Sequence, residues 1–226
     1  MAAADALELP STFGIPEDLV HAVIPGGGSS GPWIDGAMDD AAATARADIA
    51  AVGPVPGDVA ICVSASGGTP YTVAAAEAVR ASGARLVGVA NVAGSALLGL
   101  ADVAVLLDTG PEPVAGSTRL GAATAQKVAL NLMSTLMGIK LGHVHDGMMV
   151  NVVAENAKLR ERAQGIVRRI GGCDGEAARK ALDASGGRVK PAIILAMSDM
   201  TAAEAEGLLR RHGGHLGPAI ASLRRT

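Results

Sequence analysis

The 226-residue chain is almost without aromatic residues, holding one Trp, one Tyr and one Phe. That leaves no platform on which bases or sugar rings could stack. A basic excess is also missing. The 19 Lys and Arg against 22 Asp and Glu give a formal net charge of −3, so no broad positive field awaits nucleic acid. Cysteine is scarce: Cys62 lies in an apolar run and Cys173 beside a Gly pair. Two such residues make neither a disulfide framework nor a CxxC metal clip. The five histidines are too scattered for a zinc site, though His143 and His145 sit close together, so no metal site is expected. No apolar stretch reaches the ~18–20 residues of a membrane span. A basic leader followed by a long apolar segment is absent too, and the expectation is a cytoplasmic protein that contacts no membrane. What is abundant is small and apolar material. Hydrophobic residues make up 49% and charged residues 18%, enough for a packed core.

The first half alternates short β-like runs with Ala-rich helical stretches. Strands are expected at 19–24, 58–63, 85–91 and 102–107, and helices at 36–52 and 70–81, the latter opened by Pro70. Near-continuous apolar strands alternating with helices imply a doubly wound α/β fold with a parallel sheet. Further on, Leu120, Thr124, Val128, Leu132, Leu136 and Ile139 follow a helical spacing and predict one long buried helix. A second helix is marked by Val152, Leu159, Ala163, Ile166 and Ile170 and ends at Gly171-Gly172. From about residue 173 a small three-helix bundle is expected, with a capping-box pattern at Thr201 to Glu204. The domain division is therefore 1–172 and 173–226.

Three segments could carry chemistry. In the first, Ser64-Ala-Ser66-Gly67-Gly68-Thr69-Pro70, short hydroxyl residues and glycines sit between a buried strand and a helix. Free backbone amides and the helix dipole would favour a phosphate there, although an ordinary capped turn would use the same residues. The second, Gly26 to Gly31, matches GxGxxG. Pro25 and Pro32 flank it and no acidic residue ends the following strand, so a dinucleotide site is set aside. The third, Gly110 to Arg119, precedes the long helix, and Ser117 or Thr118 can cap it. Asp35, Asp39 and Asp40 suit the start of a helix. Glu8 alone would pass for a solvated charge, and His143 and His145 for surface histidines.

Together these segments resemble the N-acetylmuramic acid 6-phosphate etherases, sugar-isomerase-type (SIS) proteins related to the glucokinase regulatory protein. LELPSTFG at 7–14 is similar to the family's SECPPTFG. Residues 64–70 resemble AASGRTP, and GPEPVAGSTRLGAATAQK at 110–127 resembles GPEVVTGSTRLKAGTAQK. MMVNVVAENAKL at 148–159 resembles LMVDVQATNAKL. The resemblance implies a SIS domain and cleavage of a D-lactyl ether without metal or organic cofactor. It implies Glu8 as a catalytic residue, Ser64, Ser66, Gly67, Thr69, Ser117 and Thr118 as sugar-phosphate contacts, and a homodimer. A non-catalytic sugar-phosphate regulator and an inactive, truncated etherase homologue are the alternatives it carries.

The chain departs from the family pattern in three ways. Where the family has EGAED this chain has Asp35-Gly36-Ala37-Met38-Asp39, so its second active-site glutamate falls on Met38, whose thioether transfers no proton. Gly68 stands for the loop Arg and Gly121 for the signature Lys. Family-like sequence begins abruptly at Met1, and the expectation is that a preceding strand and GAGTSGR loop are missing.

Overall fold

The computed structural model describes residues 1–26, 42–152 and 156–224. The chain divides into two compact units, one formed by Met1–Leu7 with Val20–Leu132 and the other by Glu8–Leu19 with Met133–Thr226. Helix α1 (Ala2–Phe13) contributes its start to the first and its end to the second.

In the first unit, α2 (Ala42–Val52) leads to β1 (Val59–Val63), α3 (Pro70–Ser82), β2 (Arg85–Ala90), α4 (Ala96–Leu100) and β3 (Val103–Leu106). The strands run parallel in the order β1-β2-β3, with Val59 opposite Arg85 and Val87 opposite Val103. β-branched residues fill these strands, and Pro70 and Gly83 delimit the crossover helix. Proline suits the first helical turn, and the left-handed Gly83 stops α3 by returning its N–H to the Arg80 carbonyl. Thus the α/β reading and three of its strands hold. The strand expected at 19–24 does not form. Residues Glu17–Leu19 make one 3₁₀ turn, and 20–24 run without a partner in the sheet. Pro16 and Pro25 bracket this run, and Val23 spends its apolar side chain on the Ala45, Tyr71, Ala74 and Ala75 cluster. The start of the helix expected at 36–52 lies outside the described residues.

The first core is small, built from Ala76, Val79, Ala84, Leu86 and Leu97 between the helices and β2. Beside it the Tyr71 hydroxyl donates to Asp48. Burial and that carboxylate push the phenol well above its usual range. On the edge strand β1, alternate residues Val59 and Ile61 remain 61% and 43% exposed.

Helix α5 (Gly121–Lys140) forms as expected, but its buried face is not the one the apolar spacing suggests. Leu120, just before it, and Val128, Leu132, Leu136 and Ile139 are all exposed. The buried row is Ala122, Gln126, Leu130 and Ser134, each four residues from the next. Two positions of offset, at ~3.6 residues per turn, turn the large aliphatic row about half a revolution away from the core. The inward row carries Gln126, whose side-chain amide donates to Asn91.

The second unit is held by one large core centred on Val167, Val189, Ile193, Ile194 and Leu216. Its hairpin, β4 (Val144–His145) and β5 (Met148–Met149), precedes α6 (Ala157–Gly171), which Gly172 ends in a left-handed turn. Helices α7 (Gly175–Ala184), α8 (Val189–Met197), α9 (Ala202–Arg211) and α10 (Leu216–Leu223) follow, four rather than the three expected. Helix α6 packs against α7 and α8. Thr201 and Glu204 form the expected capping box, with each side chain accepting from the other's backbone N–H. No helix among the described residues is long and apolar enough to cross a membrane.

Candidate functional site

The loop 64–69 follows the carboxyl end of β1 and leads straight into α3. Its backbone is clamped from both sides: Asn91 N–H donates to the Ala65 carbonyl and Leu97 N–H to the Gly67 carbonyl, both at 2.9 Å. Ser64 is buried and its hydroxyl is the hub of the loop. It accepts from Gly67 N–H at 3.1 Å and shares hydrogen bonds with Thr69 Oγ1 at 2.9 Å and Ser66 Oγ at 3.3 Å. Gly68 N–H donates to Ser66 Oγ at 3.2 Å. Thr69 sits at the N-cap of α3 without capping it through its side chain, and Pro70 has no N–H. Its hydroxyl is drawn to Ser64, so the first-turn amides and the positive end of the α3 dipole are left to face an anion.

Two glycines in this loop play different parts. Gly67 has φ +65°, and a Cβ placed on it would lie 2.2 Å from Ser95 Oγ and 3.0 Å from Ala90 Cβ. Gly68 needs no left-handed backbone, and a Cβ there would meet nothing within 4 Å. The arginine missing at position 68 is therefore missing without a steric reason. Gly68→Arg is expected to fold as well as the parent, with surface substitutions usually changing stability by less than about 0.5 kcal/mol. A cation beside the loop should tighten sugar-phosphate binding by about tenfold, the worth of one charge-assisted hydrogen bond. Calorimetric titration with glucosamine 6-phosphate checks this.

The segment 107–120 follows the carboxyl end of β3, so both loops open at the same end of the parallel sheet, on either side of β2. Asn91, just beyond β2, joins them: its Nδ2 donates to the Leu107 carbonyl at 2.9 Å, and its Oδ1 accepts from Gln126 Nε2 at 2.9 Å. Gln126 is one of two buried polar residues of α5, with Ser134. The cap of that helix is neither Ser117 nor Thr118 through its side chain. Glu112 reaches over, accepting from Gly121 N–H at 3.0 Å and Ala122 N–H at 2.8 Å. Those amides, Ala122 first, hold its carboxyl below the usual range. Ser117 is half-buried and Thr118 exposed, so their hydroxyls stay available beside the strand ends. Ser95, whose buried Oγ has no partner, lies under the first loop against Gly67.

Glu8 lies on α1 in the second unit, and the loops 64–69 and 110–118 in the first. Its side chain is exposed, and its carbonyl accepts from Ser11 Oγ. Gly27 to Gly31, Asp35, Met38, Asp39 and Asp40 lie outside the described residues. His143 and His145 sit on the β4–β5 hairpin and are half-buried rather than surface residues. Burial and the charge of Lys190 lower the His143 imidazole below its ordinary value. Among the described residues no group of three or more His, Cys, Asp or Glu could hold a metal ion. Burial pushes the Cys62 thiol up to about 11, which leaves little thiolate for nucleophilic work.

Sequence reading missed Asn91, Ser95, Gln126 and the capping role of Glu112. The only signals were a polar residue ending an apolar strand and a Gln among small helix residues.

The chain has known relatives. The SIS domain model matches residues 41–140. N-acetylmuramic acid 6-phosphate etherase of Deinococcus radiodurans is 46% identical over 212 residues, covering 93% of this chain and 69% of the relative. The etherase of Symbiobacterium thermophilum is 47% identical over 190 residues, 84% of this chain and 63% of its own length. That of Streptomyces coelicolor is 41% identical over 218 residues, 96% and 70%.

Proposed function

Because the chain belongs to the N-acetylmuramic acid 6-phosphate etherase family of SIS-domain proteins, we propose that it cleaves N-acetylmuramic acid 6-phosphate to N-acetylglucosamine 6-phosphate and D-lactate, in cell-wall sugar recycling. The observation that carries the reading is the loop 64–69, whose hydroxyls are drawn inward to Ser64 and leave the α3 N-terminus open to a phosphate. Ser66, Gly67 and Thr69 form one wall of the phosphate site and Ser117 and Thr118 the other. Ser64 shapes the loop from beneath.

The chemistry follows from the substrate. In the open-chain sugar the hydrogen on C2 is α to an aldehyde, and the lactyl oxygen on C3 is a β leaving group. A carboxylate base, Glu8, takes the C2 proton. The C2–H electron pair forms a C2–C3 double bond as the C3–O bond breaks, the leaving lactyl oxygen takes up a proton to give D-lactate, and water then adds across the double bond, its hydroxyl to C3 and a proton to C2. Phosphate binding fixes the substrate before the chemistry, so the handle contributes to rate as well as to affinity. The test is D-lactate release by the purified chain. Release supports the reading, and sugar-phosphate binding with no release by a folded protein returns the regulator alternative.

Two copies act together in this reading. The exposed row Val128, Leu132, Leu136 and Ile139 on α5 is the surface offered to a second copy. Burying each such side chain would contribute about 1.5–3 kcal/mol. Light scattering after size exclusion is expected to give a dimer for the parent chain and a monomer for Leu132→Asp/Leu136→Asp. A parent monomer at tens of micromolar would sink the dimer.

A further inference from the structure

The second unit holds a cavity of about 490 Å³ that takes no part in the proposed chemistry. It opens between the start of α8, the end of α9 and residues 150–152, with Gly213-Gly214 on its rim. Its volume falls in the range of small-molecule sites. Val152 and Leu209 give it an apolar floor, and neither Glu8 nor the phosphate loops line it.

Its charged groups do not balance. Arg188, Lys190 and Arg210 line the cavity against a single carboxylate, Glu206. Glu206 is already shared: the Arg188 guanidinium pairs with one oxygen, and Arg210 lies 3.9 Å from the other. Arg188 is held further by its Nε–H donating to the Ser185 carbonyl at 3.0 Å, so its guanidinium is set in place. Lys190 is half-buried and donates to the Gly214 carbonyl at 3.0 Å. Among the described residues no carboxylate lies within ion-pair distance of it. Burial lowers its ammonium from the ordinary value. A partly desolvated ammonium with donors to spare, over an apolar floor, calls for an oxyanion.

We propose that this cavity is a second binding site, for a small organic anion whose carboxylate or phosphate head lies against Lys190 and Arg210 and whose apolar body rests on Val152 and Leu209. The site is independent of the sugar-phosphate loops in the first unit. It would let the chain respond to an organic acid that is not its substrate.

The probes are pentanoate, pentylphosphonate and acetate, titrated by calorimetry against the full chain. At least one of the five-carbon probes is expected to bind in the millimolar range, and acetate several-fold more weakly for want of a body. Which of the two binds better assigns the head group. Lys190→Met, which keeps the stem and removes the charge, is expected to weaken binding by roughly ten- to a hundredfold. Lys190→Arg should retain it. Arg210 is mostly exposed, so Arg210→Gln offers a variant whose folding is not at risk, with an expected loss of about threefold. Phosphonate bound at the first-unit loop is insensitive to Lys190→Met, so only the sensitive part counts. Failure of both five-carbon probes to bind, or binding unchanged in both Lys190→Met and Arg210→Gln, would overturn the site. Acetate binding as tightly as pentanoate would overturn the apolar floor.

Discussion

Glu8→Gln is expected to lower the turnover of N-acetylmuramic acid 6-phosphate by about 10²–10⁴-fold, the usual contribution of a positioned general base. The amide keeps the size and reach of the carboxylate and cannot accept the C2 proton. Glu8 is exposed on α1 and supports no packing, so the exchange should leave folding unchanged. Sugar-phosphate binding depends on the loops of the first unit and should stay within about threefold of the parent, giving a fall in kcat with little change in KM. Glu8→Asp, which draws the carboxylate back by one methylene, should retain a part of the rate, because misplacing a catalytic group by ~1 Å costs up to about 100-fold. Lactate release by Glu8→Gln at the parent rate would remove Glu8 from the mechanism. It would hand the proton transfer to another group.

Much of the architecture was legible because it rests on local patterns. Pro70 at the start of α3, Gly172 at the end of α6 and the Thr201–Glu204 box each solve the same problem, the unpaired backbone groups of a helix end. The solution uses residues close in sequence, so it can be read there. The α5 cap could not be read in this way. Glu112 supplies it from nine residues upstream of Gly121, while Ser117 and Thr118, better placed by spacing, leave their side chains uncommitted. That exchange bears on function, since a long-range carboxylate cap frees the two hydroxyls beside the strand ends.

The face of α5 was misread for a different reason. Periodicity identifies which residues share a face and is silent on what covers it. The Leu120–Ile139 row and the Ala122–Ser134 row have the same spacing, and the hydrophobic rule favours the first. The core took the second, whose Gln126 reaches Asn91. An exposed aliphatic row on a long helix marks an association surface more often than an error in the fold. The composition of the Ser64–Thr69 loop marked it as a candidate phosphate site beside the reading of an ordinary capped turn. The loop's internal wiring through Ser64 was not legible there, nor was the buried Ser95 beneath it, since both depend on how α4 returns across β2.

Gly67 therefore gives the sharpest test of the cradle. Gly67→Ala asks an L-residue to hold φ +65°, a strain of about 1–2 kcal/mol, and drives a methyl to 2.2 Å from Ser95 Oγ. The second effect cannot be met by a small rotation, because Ala90 Cβ blocks the other side at 3.0 Å and the Gly67 carbonyl is tied to Leu97 N–H. The loop must move, and with it the amides at the start of α3. Strain of this size alone corresponds to about five- to thirtyfold in affinity, and the clash adds to it, so sugar-phosphate binding should fall by well over tenfold. Gly68→Ala, one residue away in open space, should change binding by less than about twofold. Adding Ser95→Gly to Gly67→Ala removes the hydroxyl that the methyl strikes and should recover part of the loss, leaving the backbone strain. Equal binding by Gly67→Ala and Gly68→Ala would mean that the phosphate is held elsewhere. A loss in Gly67→Ala that Ser95→Gly partly repairs would tie affinity to the shape of this one turn.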